Sequence, residues 1–185
     1  VDALAAITLF GYDGEGNLET VTDALGHVYR FDYDPMGNVE STTDPVGQVT
    51  EFEYDGLGRV TKRTAPGNAV TTYEYDAAGQ LVKVTDPTGI VTSMEYDGAG
   101  NLTVVTDAKG GTVQVEYDEL DRPVKVMDQE GHFTTLQYDA AGRMIASTAQ
   151  MGSTTTYEYD SAGRLMAVTS PVGDRTSIEY DAAGN

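Results

Sequence analysis

A tyrosine followed by an aspartate recurs along the sequence every 21 residues, and in most copies an acidic residue stands just before the pair. Carboxylates grouped in this way could form the acid and base of a hydrolase, or could bind Ca²⁺. Nine such pairs lie between Tyr12 and Tyr180, with no insertion or deletion between them. Because an acid/base site is normally singular, nine copies favour a structural role, and we predict no enzyme activity.

No cofactor or metal site is predicted. The Gly-Gly-x-Gly-x-Asp nonapeptide of calcium-binding β-rolls is absent, although calcium at the turn aspartates remains an alternative. His27 and His132 occupy the same place in their repeats and are interpreted as exposed turn-exit residues without a ligand set. The chain has no cysteine, so thiolate sites and disulfides do not arise.

The arginines that follow the first turn are expected to face the acids of neighbouring repeats in weak, screened pairs. They are Arg59, Arg122, Arg143 and Arg164. The row of tyrosines is interpreted as core, with sugar stacking on the rings as the less favoured alternative.

Two turns in each repeat position these residues. The first is Asp-x-x-Gly, where Asp can hydrogen-bond its own backbone and Gly can take a positive φ, as in a type I turn closed by a bulge. Asp121 replaces the glycine in one copy and tolerates left-handed φ better than most residues. The predicted structural residues of these turns are Tyr12, Asp13, Gly16, Tyr33, Asp34, Gly37, Tyr54, Asp55, Gly58, Tyr75, Asp76, Gly79, Tyr96, Asp97, Gly100, Tyr117, Asp118, Tyr138, Asp139, Gly142, Tyr159, Asp160, Gly163, Tyr180, Asp181 and Gly184.

The second turn lies about ten residues further on and reads Asp-Pro-x-Gly at Asp44 and Asp86. Proline presets φ at the second position of a type I turn. Asn68 holds the left-handed position where the pattern slips. Because both turns reverse the chain, consecutive strands are predicted to be antiparallel neighbours.

The segments between turns are six or seven residues long and rich in Val, Thr, Tyr and Phe, which is typical of strands. An apolar residue stands two places before every repeat tyrosine, so the two share one face and the acid between them points to the other. We predict an all-β fold, a continuous antiparallel meander of about 17 short strands that forms a β-hairpin repeat solenoid or spiral.

The composition limits the classes of partner that the chain can bind. The 185 residues carry a net charge of -19, which disfavours nucleic acid and anionic membranes. No apolar run reaches the ~20 residues of a membrane span. We predict one array over residues 1–185, cut inside a repeat at both ends, with residues 1–11 as the tail of an earlier repeat and Asn185 just after a turn.

The reiterated Tyr-Asp-x-x-Gly-Arg/Asn-Leu and Thr-Asp-Pro-x-Gly pattern resembles the YD repeats of bacterial Rhs proteins, wall-associated proteins, the toxin-complex C component and teneurins. The resemblance covers essentially the whole chain. It implies a β-hairpin spiral that forms part of a hollow shell around a toxin or another polypeptide. Rhs shells also contain an autoproteolytic Asp-Pro-x-Gly segment, but Asp44-Pro45 and Asp86-Pro87 match it only as ordinary repeat turns.

The resemblance therefore predicts a structural scaffold, in a secreted or cell-surface protein of a bacterial parent, whose partner is an enclosed polypeptide. Two alternatives stay open. The first is a cell-surface module that binds glycans or a protein, and the second is self-association through the edge strands.

Overall fold

The computed structural model describes residues 7–181 and residue 184. Strands and turns make up this part of the chain, and it contains no helix. Residues 1–6 of the expected tail of an earlier repeat, and the end of the chain at Asn185, lie outside the described residues. The all-β prediction is confirmed.

The described residues form seventeen strands, which matches the predicted number. The last strand is short and ends before Tyr180. The strands are β1 (Leu9–Tyr12), β2 (Leu18–Thr22), β3 (Val28–Tyr33), β4 (Val39–Thr43), β5 (Val49–Tyr54), β6 (Val60–Ala65), β7 (Ala69–Tyr75), β8 (Leu81–Thr85), β9 (Val91–Tyr96), β10 (Leu102–Thr106), β11 (Thr112–Tyr117), β12 (Pro123–Met127), β13 (Phe133–Tyr138), β14 (Met144–Ala149), β15 (Thr154–Tyr159), β16 (Leu165–Thr169) and β17 (Arg175–Ser177).

The chain divides into two compact units, Val1–Thr92 and Ser93–Asn185. In the first unit, β1 to β8 pair antiparallel, each with the next strand along the chain. In the second unit, the part of β9 that it contains and β10 to β17 pair in the same way. The predicted meander is confirmed within each unit.

The two kinds of hairpin differ in register. Where a hairpin follows a repeat tyrosine, the register shifts just before that tyrosine: Glu53 faces Lys62, but Tyr54 faces Val60, so Thr61 is an extra residue. Hairpins that close through the second turn pair without such a shift, as between β4 and β5. This register shift lies inside β6, beyond the turn, and is separate from the bulge predicted where Gly58 closes the turn. Gly58 has the positive φ, of 76°, that the predicted bulge requires.

Strands that end at a repeat tyrosine alternate between two faces. In β5, Thr50, Phe52 and Tyr54 are half-buried, whereas Glu51 and Glu53 are exposed. We call these the tyrosine face and the acidic face. This alternation is the predicted one, and it follows from the period of two along an extended strand.

Neither unit has a closed core of large side chains among its described residues. The buried hydrophobic residues there are Ala146, at 9% exposure, and Ala167, at 0%. The tyrosines and aliphatic residues of the tyrosine face are mostly half-buried. A single layer of sheet cannot bury a large side chain on every side, so hydrogen bonds and contacts along the sheet must contribute much of its stability.

Candidate functional site

The recurring aspartate is the centre of each first turn. In the turn that begins at Asp55, the backbone N–H of Asp55 donates to the carbonyl of Arg59, and Gly58 N–H donates back to the carbonyl of Asp55, at 2.9 and 3.0 Å. Asp55 Oδ1 accepts the N–H groups of Leu57 and Arg59 at 2.9 and 3.0 Å. The side chain thus satisfies donors that the reversal leaves unpaired, as the sequence predicts.

The second turn has the same backbone geometry. The N–H of Asp44 donates to the carbonyl of Gln48 at 3.0 Å, and Asp44 Oδ1 accepts the N–H groups of Val46 and Gln48 at 2.9 and 2.8 Å. The sequence predicts a type I turn with a closing glycine at both places, and proline only presets φ in some second turns. The structure shows one device used at both ends of the hairpins.

Two residues other than glycine take the left-handed conformation, as predicted. Asp121 has a φ of 57° and Asn68 a φ of 61°. Asp and Asn tolerate this region because their short polar side chains can hydrogen-bond locally. Asn68 differs from the other turn residues in one respect, since the preceding Gly67 also has a positive φ, of 80°.

The arginine after each first turn binds the aspartate of its own turn. Arg59 Nε donates to Asp55 Oδ2 at 2.7 Å, and Arg143 Nε donates to Asp139 Oδ2 at the same distance. Asn takes this role in other repeats, as where Asn38 Nδ2 donates to Asp34 Oδ2 at 2.9 Å. The prediction that these arginines face acids of neighbouring repeats is therefore wrong in its partner.

The same arginines reach the neighbouring repeat through its tyrosine. The guanidinium carbon of Arg59 lies 4.6 Å from the centre of the Tyr75 ring, within the range of a cation–π contact. The arrangement recurs in Arg122 over Tyr138, Arg143 over Tyr159 and Arg164 over Tyr180, at 4.5 to 4.9 Å.

The tyrosine hydroxyls join consecutive hairpins to each other. Tyr75 Oη donates to the carbonyl of Val60, 15 residues earlier, at 2.9 Å. This accepting residue immediately follows the arginine that covers the ring. Equivalent bonds of 2.8 to 3.0 Å run from Tyr33 to Leu18, Tyr54 to Val39, Tyr117 to Leu102, Tyr138 to Pro123, Tyr159 to Met144 and Tyr180 to Leu165.

Aspartate, arginine or asparagine, and tyrosine therefore form a repeating chain of contacts, which we call the tyrosine ladder. Asp55 holds Arg59, Arg59 covers Tyr75, and Tyr75 bonds the carbonyl of Val60. The first turns lie at one end of the strands and the second turns at the other end. We call the side of the sheet with the first turns the ladder edge, and the side with the second turns the opposite edge. The predicted Tyr and Asp residues belong to this ladder, which sequence reasoning did not describe.

Hydrogen bonding sets the charge state of the turn aspartates. The side chain of Arg59, followed by backbone N–H donors, lowers the pKa of Asp55 below the ordinary 3.8. The side chain of Arg143 has the same effect on the pKa of Asp139. Burial, with a smaller contribution from the charge of Asp34, raises the pKa of Tyr54 above 10.0. Asp55 and Asp139 thus stay ionised, and Tyr54 stays a hydroxyl donor, near neutral pH.

The acidic residue beside each tyrosine does not join the ladder. Glu53 lies on the acidic face, where it accepts a bond from Lys62 Nζ at 2.7 Å, and Glu74 and Lys83 form the same pair. These pairs are largely exposed and are worth less than about 1 kcal/mol each. The Tyr-Asp-Glu group of the sequence therefore does not converge on one point.

The two histidines lie at exposed turn exits, as expected. His27 Nδ1 is 2.8 Å from Asp23 Oδ2, and His132 Nδ1 is 3.3 Å from Asp128 Oδ2. That neither has a ligand set stays a prediction, but His132 has two carboxylates close by. Its ring nitrogen lies within 4.8 Å of carboxylate oxygens of both Asp128 and Glu130. The signal in the sequence was the Asp-x-Glu-x-His spacing, which places three side chains on one turn.

Comparison with known families identifies the repeat. The teneurin YD-shell family matches residues 50–184, and the RHS repeat family matches residues 12–49. The chain belongs to the teneurin YD-shell family. No helix of the described residues is long and apolar enough to cross a membrane.

Solved structures confirm the YD-shell fold. A crystal structure of TcdB2–TccC3–Cdc42 covers 96% of this chain with a TM-score of 0.81 at 16% identity, and one of TcdB2–TccC3–TEV covers 100% with a TM-score of 0.80 at 18% identity. The Tc holotoxin pore of Photorhabdus luminescens, with a TccC3 variant, covers 96% with a TM-score of 0.67 at 15% identity. This chain spans 11–12% of the length of those chains. A search of the curated proteins finds no match.

Proposed function

We propose that this chain is a section of a shell wall that encloses a toxin or another polypeptide and keeps it apart from its surroundings. The role is structural rather than catalytic, and the partner is the enclosed polypeptide. Membership of the YD-shell family supports this proposal, as does the TccC3-like fold. The parent protein is secreted or displayed on a cell surface, and its source is bacterial.

The observation that carries the proposal is the tyrosine ladder. The recurring polar groups form hydrogen bonds with one another and with the backbone. Examples are Arg143 with Asp139, and Tyr159 with the Met144 carbonyl. These contacts link each hairpin to the next, and a continuous shell wall requires such links. A binding module would instead keep these groups available to a ligand.

The wall acts by exclusion. Backbone hydrogen bonds leave no gap between neighbouring strands, so the sheet itself prevents a polypeptide from passing through the wall. The acidic face adds a hydrated, largely acidic surface, in keeping with the net charge of -19. Neither property depends on a unique residue, so a wall of this kind can be extended by adding repeats.

A chimaera tests the proposal. The eight repeats that start at Tyr12 would replace the structurally equivalent stretch of a TccC3 shell that contains its own polypeptide. We expect the chimaera to assemble and the polypeptide inside to resist added protease. A matched chimaera with Tyr117→Ala and Tyr138→Ala should lose that protection.

Protection that is absent from the first chimaera, in a particle that electron microscopy shows to be closed, would overturn the proposal. The binding alternative has its own readout on the chain itself. Saturable binding to a glycan array that disappears when repeats are removed would favour a cell-surface module instead.

A further inference from the structure

The turn from Asp128 to His132 differs from every other second turn in the side chains that it presents. Its first, third and fifth residues are Asp128, Glu130 and His132, and one ligand atom of each lies within 4.8 Å of the others. In residues 7–181 and 184 no other set of three such groups converges. We propose that this turn, the histidine turn, binds one divalent transition-metal cation such as Zn²⁺.

The distance between the first two ligands fits a long hydrogen bond and also a shared metal ion. His132 Nδ1 and Asp128 Oδ2 are 3.3 Å apart, which is long for a charge-assisted hydrogen bond. Two ligands of a tetrahedral zinc ion with bonds of about 2.1 Å lie roughly 3.4 Å apart. The first two ligands of the histidine turn are thus already at the separation that the ion requires.

The backbone of the turn holds these ligands in place. Asp128 Oδ1 accepts the N–H groups of Glu130 and His132 at 3.0 and 2.9 Å. The carboxylate is thereby oriented with Oδ2 towards the His132 ring. Only the Glu130 side chain has to be ordered when the ion binds, so the entropic cost of binding is limited to one flexible side chain.

The donor set selects the class of ion. One imidazole nitrogen with two carboxylates suits Zn²⁺, Ni²⁺ and Cu²⁺, whereas Ca²⁺ and Mg²⁺ prefer sites built from oxygen alone. The His132 and Asp128 side chains are 71% and 49% exposed, so water is available to complete the coordination. Exposure also predicts weaker binding than in a closed structural zinc site, and we expect a micromolar affinity.

A groove beside the turn provides room for the hydrated ion. Asp128 and His132 line it together with Gln150, Met151 and Ser153 of the next second turn. Its volume is about 410 Å³. The ion would therefore lie on the side of the groove formed by the histidine turn, with Glu130 outside the groove lining.

The other histidine supplies an internal control. Asp23 and His27 occupy the same positions in their turn, but Leu25 stands where Glu130 stands in the histidine turn. His27 Nδ1 lies 2.8 Å from Asp23 Oδ2, a hydrogen-bonding distance. This turn offers two ligands rather than three, so the proposal predicts much weaker binding there.

Isothermal titration of the untagged chain with ZnCl₂ in physiological salt tests the proposal. We expect one ion per chain, with His132→Ala and Glu130→Leu each weakening binding by at least about tenfold. His27→Ala should leave both affinity and stoichiometry unchanged. Because these residues are exposed, circular dichroism should show that every variant remains folded.

A gain of function sharpens the test. Leu25→Glu gives the first histidine the third ligand that it lacks, so the stoichiometry should rise from one ion to two. The proposal is overturned if His132→Ala binds Zn²⁺ as the unmodified chain does. It is equally overturned if Ca²⁺ competes as well as Zn²⁺, since the ions would then be held by the general negative charge.

Discussion

The ladder edge and the opposite edge contain the same type of turn but differ in the side-chain contacts around it. At the ladder edge, Asp55, Arg59 and Tyr75 link one hairpin to the next through side chains. At the opposite edge, Asp44 bonds the backbone of its own turn. The turn therefore reverses the chain at both edges, and the residues around it decide whether neighbouring hairpins are joined.

This comparison shows how a single-layered array can hold together without a closed core. Nearest-neighbour interfaces supply much of the stability of repeat proteins. Each interface in this chain gains a hydroxyl-to-carbonyl bond, and in four repeats a cation–π contact, at the ladder edge. Disruption at the ladder edge should consequently cost more than an equivalent change at the opposite edge.

The largest difference is expected between the two tyrosines of β3. Tyr33 lies at the ladder edge and donates to the Leu18 carbonyl, whereas Tyr29 lies near the opposite edge and is 44% exposed. We expect Tyr33→Ala to lower the free energy of unfolding by about 3 kcal/mol and Tyr29→Ala by about 1 kcal/mol. Urea denaturation of both variants measures the difference, and equal losses would contradict it.

The shared turn predicts equal effects where only the backbone matters. Gly58 at the ladder edge and Gly47 at the opposite edge have φ values of 76° and 83°. Gly58→Ala and Gly47→Ala should each cost about 1–2 kcal/mol, because a Cβ strains the left-handed conformation. Thermal denaturation of the pair is the measurement. A clearly larger loss at one edge would mean that the two turns are not equivalent.

The hydroxyl itself should have a smaller effect. Tyr159 Oη donates to the Met144 carbonyl at 2.8 Å, and Tyr157 stands on the same face of the same strand. We expect Tyr159→Phe to cost about 1 kcal/mol, because the carbonyl loses a partner in a half-buried place. Tyr157→Phe is the matched control and should change the free energy of unfolding less. Chemical denaturation distinguishes the two.

Much of this design could be predicted from the sequence. Spacing and turn chemistry were sufficient for the strands, for the positive φ of Gly58 and for Asp121 and Asn68 in left-handed positions, because these depend on local preferences. The partner of Arg59 could not be found in this way. Its contact with Tyr75 depends on how two hairpins lie side by side, which the 21-residue period alone does not specify.

The side-chain cluster of the histidine turn went unnoticed for a different reason. Reasoning from the repeat compared His27 with His132 and asked what they share, whereas the relevant residue is the one that differs, Glu130 in place of Leu25. Comparing repeats for what they share identifies the residues that maintain the fold, but it overlooks a residue such as Glu130 that differs in one repeat.

The smallest expected effect concerns pH. Hydrogen bonds from Arg143 lower the pKa of Asp139, and those from Thr88 and Ile90 lower the pKa of Asp86 at the opposite edge. A carboxylate with a lowered pKa stabilises the fold above its ordinary pKa, and this contribution is lost as the pH falls through the folded value.

Asp139→Asn should therefore reduce stability at pH 7, and its deficit relative to the unmodified chain should shrink below about pH 4. Thermal denaturation of both proteins from pH 7 to pH 2 measures this difference, which cancels the effects of the other carboxylates. A deficit that is constant over the whole range would show that ionisation of Asp139 contributes nothing.

The most direct measurement of the ladder is a double-mutant cycle between Arg122 and Tyr138, which belong to consecutive hairpins and are 4.8 Å apart. The cycle combines Arg122→Ala with Tyr138→Ala, and Arg122 with Tyr159 is the distant control. We expect a coupling energy of about 0.5–1 kcal/mol for the first pair and about zero for the second. Zero coupling between Arg122 and Tyr138 would contradict the claim that side chains of the ladder edge join neighbouring hairpins.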